Sequence, residues 1–151
     1  EAGVPFVKVA RAWWDSHGQN FETHQELCSD LDHCMSVLLD DLDQRGLLQN
    51  TLVITLGEFG RTPKINASLG RDHFASAWSS SLSGLGVRGG VAYGKTDPEG
   101  NTVVDGEASA ADFFATVLHA LGINHEHEYM VGSRPIPMAD FGATPIHDVL
   151  V

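Results

Sequence analysis

Two short motifs contain residue types that bind metal ions. Asp15 and His17 are separated by one residue, so on an extended segment both side chains lie on one face and offer an oxygen and a nitrogen to the same cation. Asp72-His73 lies within the later run Gly70-Arg71-Asp72-His73-Phe74. Each motif has an ordinary alternative: a solvated turn for the first, and for the second a loop aspartate that orients a histidine. The spacing alone leaves these interpretations open.

A carboxylate and two arginines lie between the motifs. Glu58 follows an apolar run, residues 51–56, and its neighbours Gly57 and Gly60 leave room for a metal, a phosphate or backbone to approach the carboxylate. The planar guanidinium groups of Arg61 and Arg71 suit a tetrahedral oxyanion. The alternative for these three residues is a set of structural ion pairs.

The other histidines and the serines indicate less. The run His125-Glu126-His127-Glu128 follows a helix stop in a polar turn, where adventitious metal binding is the better interpretation. His24, His33 and His119 are placed on helix surfaces. No Gly-x-Ser-x-Gly elbow is present, which disfavours a Ser-His-Asp hydrolase.

Composition sets limits on the partners. The chain has 151 residues, 42% of them hydrophobic, which suits one domain with its own core. Its net charge of -11 would repel a phosphate backbone, so nucleic acid is not expected as a partner. No apolar stretch approaches the roughly 20 residues that a membrane span requires. Cys28 and Cys34 have no CxxC context, and their spacing predicts core thiols without a mutual disulfide.

The first half of the chain predicts one βαβ unit. Residues 5–10 and 51–56 are strand-like, and the second run is apolar on both faces, as a strand covered by helices would be. Between them, residues 23–45 show the apolar spacing of one helical face, and Gly46 marks the stop. A right-handed connection between parallel strands follows, with the metal-binding motifs at the carboxyl edge of the sheet.

The second half is predicted to be less regular. Residues 57–77 form a long loop, which favours function or mobility. Residues 79–85 return as a strand, and residues 91–101 suggest a small hairpin with its turn at 97–101. Ser109 and Asp112 resemble a capping box that opens a helix ending at Gly122, and the remainder is predicted to be an irregular tail.

Taken together, these motifs resemble a known bacterial family. The order Trp14-Asp15-Ser16-His17, then Leu52-Val53-Ile54-Thr55 leading to Gly57-Glu58-Phe59-Gly60-Arg61-Thr62-Pro63, then Gly70-Arg71-Asp72-His73, is similar to that of domain of unknown function 1501, a sulfatase-like family of the alkaline phosphatase superfamily. The resemblance covers nearly the whole chain. It implies an α/β/α sandwich with a mainly parallel sheet, of which residues 1–151 form the carboxyl-terminal part of a single domain.

The resemblance also implies roles for individual residues. Asp15, His17 and His73 take the positions of ligands of one divalent metal, expected to be Zn²⁺, with Ca²⁺, Mg²⁺ or Mn²⁺ as alternatives. Glu58 takes a second-metal position as ligand or base, although Phe59 stands where that metal would have a histidine. Arg61 and Arg71 are the candidates for steadying an oxyanion. The superfamily's nucleophile is expected in an amino-terminal half of the parent chain.

The expected function is therefore metal-dependent hydrolysis of phosphate or sulfate esters, on small molecules or polysaccharides, by a periplasmic or secreted parent protein. On its own, the chain is expected to have negligible esterase activity. Two rivals remain: a noncatalytic metal-binding or surface-associated module of the same fold, and a fragment whose histidines only satisfy hydrogen bonds.

Overall fold

A computed structural model describes residues 2–151 as two α-helices and four antiparallel pairs of short strands. The helices are α1, Asn20–Gln44, and α2, Ala110–Ala120, and 3₁₀ turns occupy Leu48–Asn50 and His147–Val149. In chain order the strands are β1 Leu52–Leu56, β2 Gly60–Arg61, β3 His73–Phe74, β4 Ser80–Gly84, β5 Lys95–Thr96, β6 Val103–Asp105, β7 Glu128–Val131 and β8 Arg134–Pro137. They pair as β1 with β4, β2 with β3, β5 with β6 and β7 with β8.

The predicted α/β/α sandwich of the alkaline phosphatase type is wrong. β1 pairs with β4 in an antiparallel register that sets Leu52 opposite Gly84, and residues 5–10 form no strand, so residues 2–151 contain no parallel pair and no βαβ unit. The apolar run in β1 suggested a strand covered on both faces. Instead its side chains are only partly covered, because the chain returns after a loop to a neighbouring strand without a helical crossover.

The helix predicted at residues 23–45 is present and begins three residues earlier. Gly46 ends it with φ of +65°, a left-handed conformation that favours glycine, and its amide donates to the carbonyl of Asp43. Cover along the apolar stripe is uneven: Leu27 is 2% exposed, whereas Leu31 and Leu38 are 41% and 44% exposed. Both cysteines are free and exposed, so the prediction of core thiols is wrong.

The small core gathers around α2. Ser109 Oγ accepts from the amide of Asp112 while the Asp112 carboxylate accepts from the amide of Ser109, which confirms the predicted capping box. Phe113 is buried, and its ring meets Trp78 edge to face at 5.6 Å. The Trp78 indole nitrogen donates to the carbonyl of Gly57, directly after β1. This contact connects the core to the loop that carries the candidate site.

The remaining strands differ from the prediction. The hairpin near residue 91 lies slightly later, as β5 and β6 around the predicted turn at 97–101. The tail predicted to be irregular contains the hairpin β7–β8, which turns at Gly132 with φ of +64°. Among residues 2–151 no helix has the length and apolar character that crossing a bilayer requires.

Candidate metal centre

Asp15, His17 and His73 converge on one point. The Asp15 Oδ1 atom lies 2.9 Å from His17 Nδ1 and 3.2 Å from His73 Nε2, and the three potential ligand atoms all lie within 4.8 Å of one another. The two imidazole rings are 4.8 Å apart between centroids. All three side chains are exposed to about half. Two motifs separated by more than 50 residues in the sequence therefore meet in space.

Backbone hydrogen bonds hold the Asp15-Ser16-His17 segment against the second motif. Ser16 is buried, its hydroxyl donates to Asn20 Oδ1 at the start of α1, and its carbonyl accepts from the amide of Arg71 at 3.0 Å. Gly18 and Leu69 form an isolated antiparallel bridge. Residues 15–18 are therefore held both to Asn20, the first residue of α1, and to the loop that leads to His73.

Asn66 organises that loop, although the sequence reasoning did not single it out. Its Nδ2 donates to the carbonyl of His17 and to Asp72 Oδ1, both at 3.0 Å, while its Oδ1 accepts from the amides of Ser68 and Gly70. An asparagine side chain often forms a turn by bonding to the backbone amide two residues later. Asn66-Ala67-Ser68 within a polar loop could therefore have predicted a turn at Asn66.

Gly70 allows the two segments to approach closely. A Cβ atom at this position would lie 2.0 Å from the carbonyl carbon of His17, which is far inside van der Waals contact. Glycine is therefore required here by the close passage of another backbone, and not by an unusual backbone conformation.

The pair β2–β3 places Arg61 beside His73. The register sets Arg61 opposite His73 and Gly60 opposite Phe74. Neighbouring side chains directly across such a pair lie about 5 Å apart at Cβ, so both reach the same point. Gly60 is also required by packing, because a Cβ there would meet the carbonyl oxygen of Ala77 at 1.8 Å.

Arg61 forms an ion pair with the central carboxylate. Its Nη1 lies 2.6 Å from Asp15 Oδ1, so this one oxygen is approached by nitrogen atoms of three residues. The hydrogen bond from Arg61 is the main cause that lowers the pKa of Asp15, and burial opposes it. The Phe59 ring lies beneath the group, 4.3 Å from the His73 ring and 5.5 Å from Arg61 Cζ.

Glu58 and Arg71 are placed differently. The side chain of Glu58 is exposed, and among residues 2–151 the only group with metal-ligand geometry contains the three residues above without Glu58. Arg71 Nη1 donates to the carbonyls of Thr62 and Pro63, at 2.6 and 2.8 Å. Arg71 therefore ties the loop together.

The other histidines lie elsewhere. His24, predicted on a helix surface, is half-buried and donates through Nδ1 to the Asn20 carbonyl at 2.9 Å, next to Ser16. The same nitrogen lies 3.2 Å from the hydroxyl oxygen of Ser16, which belongs to the first motif. His119 meets His147 edge to face, and His127 meets Tyr129 in the same way.

The donor set fits a transition-metal ion. Two imidazole nitrogens and one carboxylate oxygen form a set found in zinc sites that keep a position for water or substrate, and imidazole disfavours Ca²⁺ and Mg²⁺. Ligand atoms around a tetrahedral Zn²⁺ lie about 3.3 Å apart, given bonds of about 2.0 to 2.1 Å. The two distances from Asp15, 2.9 and 3.2 Å, are within a few tenths of an ångström of this value, and the three ligand atoms together lie within 4.8 Å of one another.

A family model described as "Protein of unknown function (DUF1501)" matches residues 1–150. No curated protein and no solved structure matches the chain.

Proposed function

We propose that this chain, which belongs to the DUF1501 family, binds a divalent cation such as Zn²⁺ through Asp15, His17 and His73 and serves in the hydrolysis of phosphate or sulfate esters. The observation that carries the proposal is the convergence of these three donors from two distant segments. The relation to sulfatase-like proteins and export to the periplasm or exterior are parts of the proposal that rest on sequence resemblance.

The arrangement suits ester hydrolysis for three reasons. A cation held by these donors would polarise the ester oxygens and lower the pKa of water. Arg61 adds a second positive charge beside it, where negative charge develops on the phosphoryl or sulfuryl oxygens. In the overall reaction a water oxygen bonds to phosphorus or sulfur, the ester P–O or S–O bond breaks, and the alcohol leaves with a proton from the water. Glu58, exposed near Phe59, is the candidate to accept or pass that proton.

One observation favours a noncatalytic alternative, a metal-binding module. The Phe59 ring packs on His73 at 4.3 Å and has no atom that can ligate a cation, so the place beside the centre is apolar. A second cation there would lack a ligand from this residue. A module that only binds metal needs no such ligand.

The first prediction concerns metal content. We expect the chain to bind about one Zn²⁺ per molecule after dialysis, and Asp15→Asn or His73→Ala to weaken binding by at least about tenfold, since each removes one of three protein ligands. His33→Ala, an exposed histidine on α1, is the matched control and should bind like the wild type. Elemental analysis with calorimetric titration gives both quantities. Two tightly held metals, or equal binding by His73→Ala, would contradict the proposed site.

Activity separates the two functions. Turnover of aryl phosphate and aryl sulfate should be measured with Zn²⁺ present, on this chain and on any longer natural form of it, each with and without His73→Ala. Hydrolysis that is lost with His73→Ala supports the hydrolase. Tight metal binding without hydrolysis in either protein would support the noncatalytic module.

A further inference from the structure

Arg61 competes for the carboxylate that a cation requires. Its Nη1 lies 2.6 Å from Asp15 Oδ1, closer than either histidine nitrogen, and its side chain is 21% exposed compared with 59% for Asp15. In the structure, His73 Nε2 and Arg61 Nη1 are hydrogen-bonded to Asp15 Oδ1, and His17 Nδ1 lies 2.9 Å from the same oxygen. Metal coordination needs a lone pair on each ligating imidazole nitrogen, so cation binding must break the hydrogen bond between His73 Nε2 and Asp15.

The guanidinium then faces a second positive charge. Like charges repel in proportion to their product, so a divalent ion held by Asp15 repels the guanidinium twice as strongly as a unit charge at the same distance would. Binding of the cation therefore favours movement of the Arg61 head group away from Asp15.

The displaced guanidinium stays next to the centre. The backbone of Arg61 is paired with that of His73 across β2–β3, and its Cζ lies 5.5 Å from the centroid of the Phe59 ring, which also supports His73. Arg71 cannot take this role while its Nη1 is bonded to two carbonyls of the loop. When a cation binds Asp15, it is therefore Arg61 that loses its carboxylate partner.

We propose that Arg61 couples the two ligands of the site: it holds Asp15 when no cation is bound, and a cation releases it to bind a tetrahedral oxyanion, phosphate or sulfate. This inference rests on the proposed function, because it assigns a role toward the same cation. Coupling of this kind is reciprocal, so each ligand should increase the affinity for the other, and couplings of about 5- to 150-fold are typical. The oxyanion can belong to an ester or be a free ion.

The test measures binding of Zn²⁺ and of inorganic phosphate by calorimetry, without any activity assay. For Arg61→Gln we expect Zn²⁺ to bind about fivefold more tightly, because the guanidinium no longer competes for Asp15. We expect phosphate to bind the Zn²⁺-loaded chain about tenfold more weakly, because a charged hydrogen bond is lost. Arg134→Gln removes the same charge on β8, outside the group of residues that form the site, and should behave like the wild type. Phenylphosphonate, titrated in parallel, distinguishes a site that accepts an organic group from one that takes only the free ion.

Arg61→Lys keeps the charge and loses the planar fork, and it serves if the glutamine variant is poorly folded by circular dichroism. It should retain Zn²⁺ affinity close to that of the wild type and lose phosphate affinity severalfold. The inference is overturned if Zn²⁺ binds the wild type but Arg61→Gln leaves both affinities unchanged, or weakens Zn²⁺ binding. Absence of Zn²⁺ binding by the wild type would overturn the proposed function as well, so the two failures are distinguishable.

Discussion

At the scale of single residues, the site depends partly on Asn66 and Arg71, which hold the loop in place and are not candidate ligands of the cation. Asp15, His17 and His73 were visible in the sequence because their types and spacing suit a cation. Asn66 was not, since its role lies in four hydrogen bonds, three within a loop that has no periodic pattern and one to the carbonyl of His17. Arg71 looked equivalent to Arg61 in the sequence, and only the geometry separates a loop tie from a partner of Asp15.

Gly70→Ala tests how closely the two motifs must approach. The new Cβ would overlap the backbone of His17, so the loops must separate, and we expect a loss of about 2 kcal/mol of stability together with at least about tenfold weaker Zn²⁺ binding. Gly89→Ala is the matched control, because a Cβ at Gly89 meets no atom within 4 Å. Chemical denaturation and zinc titration check the two effects. Wild-type zinc affinity in Gly70→Ala would show that the His17–Gly70 contact does not shape the site.

At the scale of elements, local signals were sufficient for the helices and insufficient for strand pairing. The stop at Gly46 and the box formed by Ser109 and Asp112 are local chemistry, and both are present. The partner of β1 is a nonlocal choice. Its apolar sequence is compatible with a parallel or an antiparallel neighbour, and β4, where Leu82 is the one large apolar residue, gives no signal of which strand it joins or in which direction.

The cap of α2 gives a prediction with a defined pH dependence. Hydrogen bonds from Ser109 and from the amide of Thr144 lower the pKa of Asp112 below its ordinary 3.8. Because the folded chain prefers the ionised form, the stabilisation is present above the unfolded pKa of about 3.9 and is lost as the pH falls through the lower folded value.

Asp112→Ala should therefore destabilise the chain by about 1 kcal/mol at pH 7, and the difference from the wild type should shrink as the pH falls below about 3.8. Glu99→Gln, at an exposed turn position, is the control for the loss of one negative charge. Urea denaturation at pH 7, 5 and 3 provides the comparison. A difference between Asp112→Ala and the wild type that does not change with pH would argue that the carboxylate's charge has no part in the cap.

At the scale of the whole molecule, the chain is open. It exposes 10861 Å², whereas a compact monomer of 16.3 kDa is expected to expose about 7500 Å². Fully buried apolar side chains are few, and the apolar residues Val4, Phe6 and Val9 are each more than 60% exposed. Composition predicted a domain with a core of its own, but a count of hydrophobic residues does not say how many of them meet one another.

With so small a core, a bound cation should contribute visibly to stability. The site joins residues 15–18 to residues 60–73, so unfolding either segment destroys it. At a free Zn²⁺ concentration of 100 times the dissociation constant, binding adds about 2.7 kcal/mol. For a chain of this size that corresponds to a rise in Tm of roughly 5 to 10 °C.

Differential scanning calorimetry with Zn²⁺ and with EDTA measures this rise, and Asp15→Asn should abolish it. Bound zinc without any change in Tm would mean that residues 15–18 and 60–73 do not unfold together with the rest of the chain.

The exposure of the three donors also has a kinetic consequence. Asp15, His17 and His73 each keep about half of their side-chain surface in water, and no cover lies over them within residues 2–151. A bound ion would leave without any opening of the fold, so its residence time is set by the strength of the ligand bonds alone. Chelators and competing metals reach such a centre directly. The identity of the metal ion bound after purification is therefore set mainly by the purification buffers, and less by the metal content of the cell.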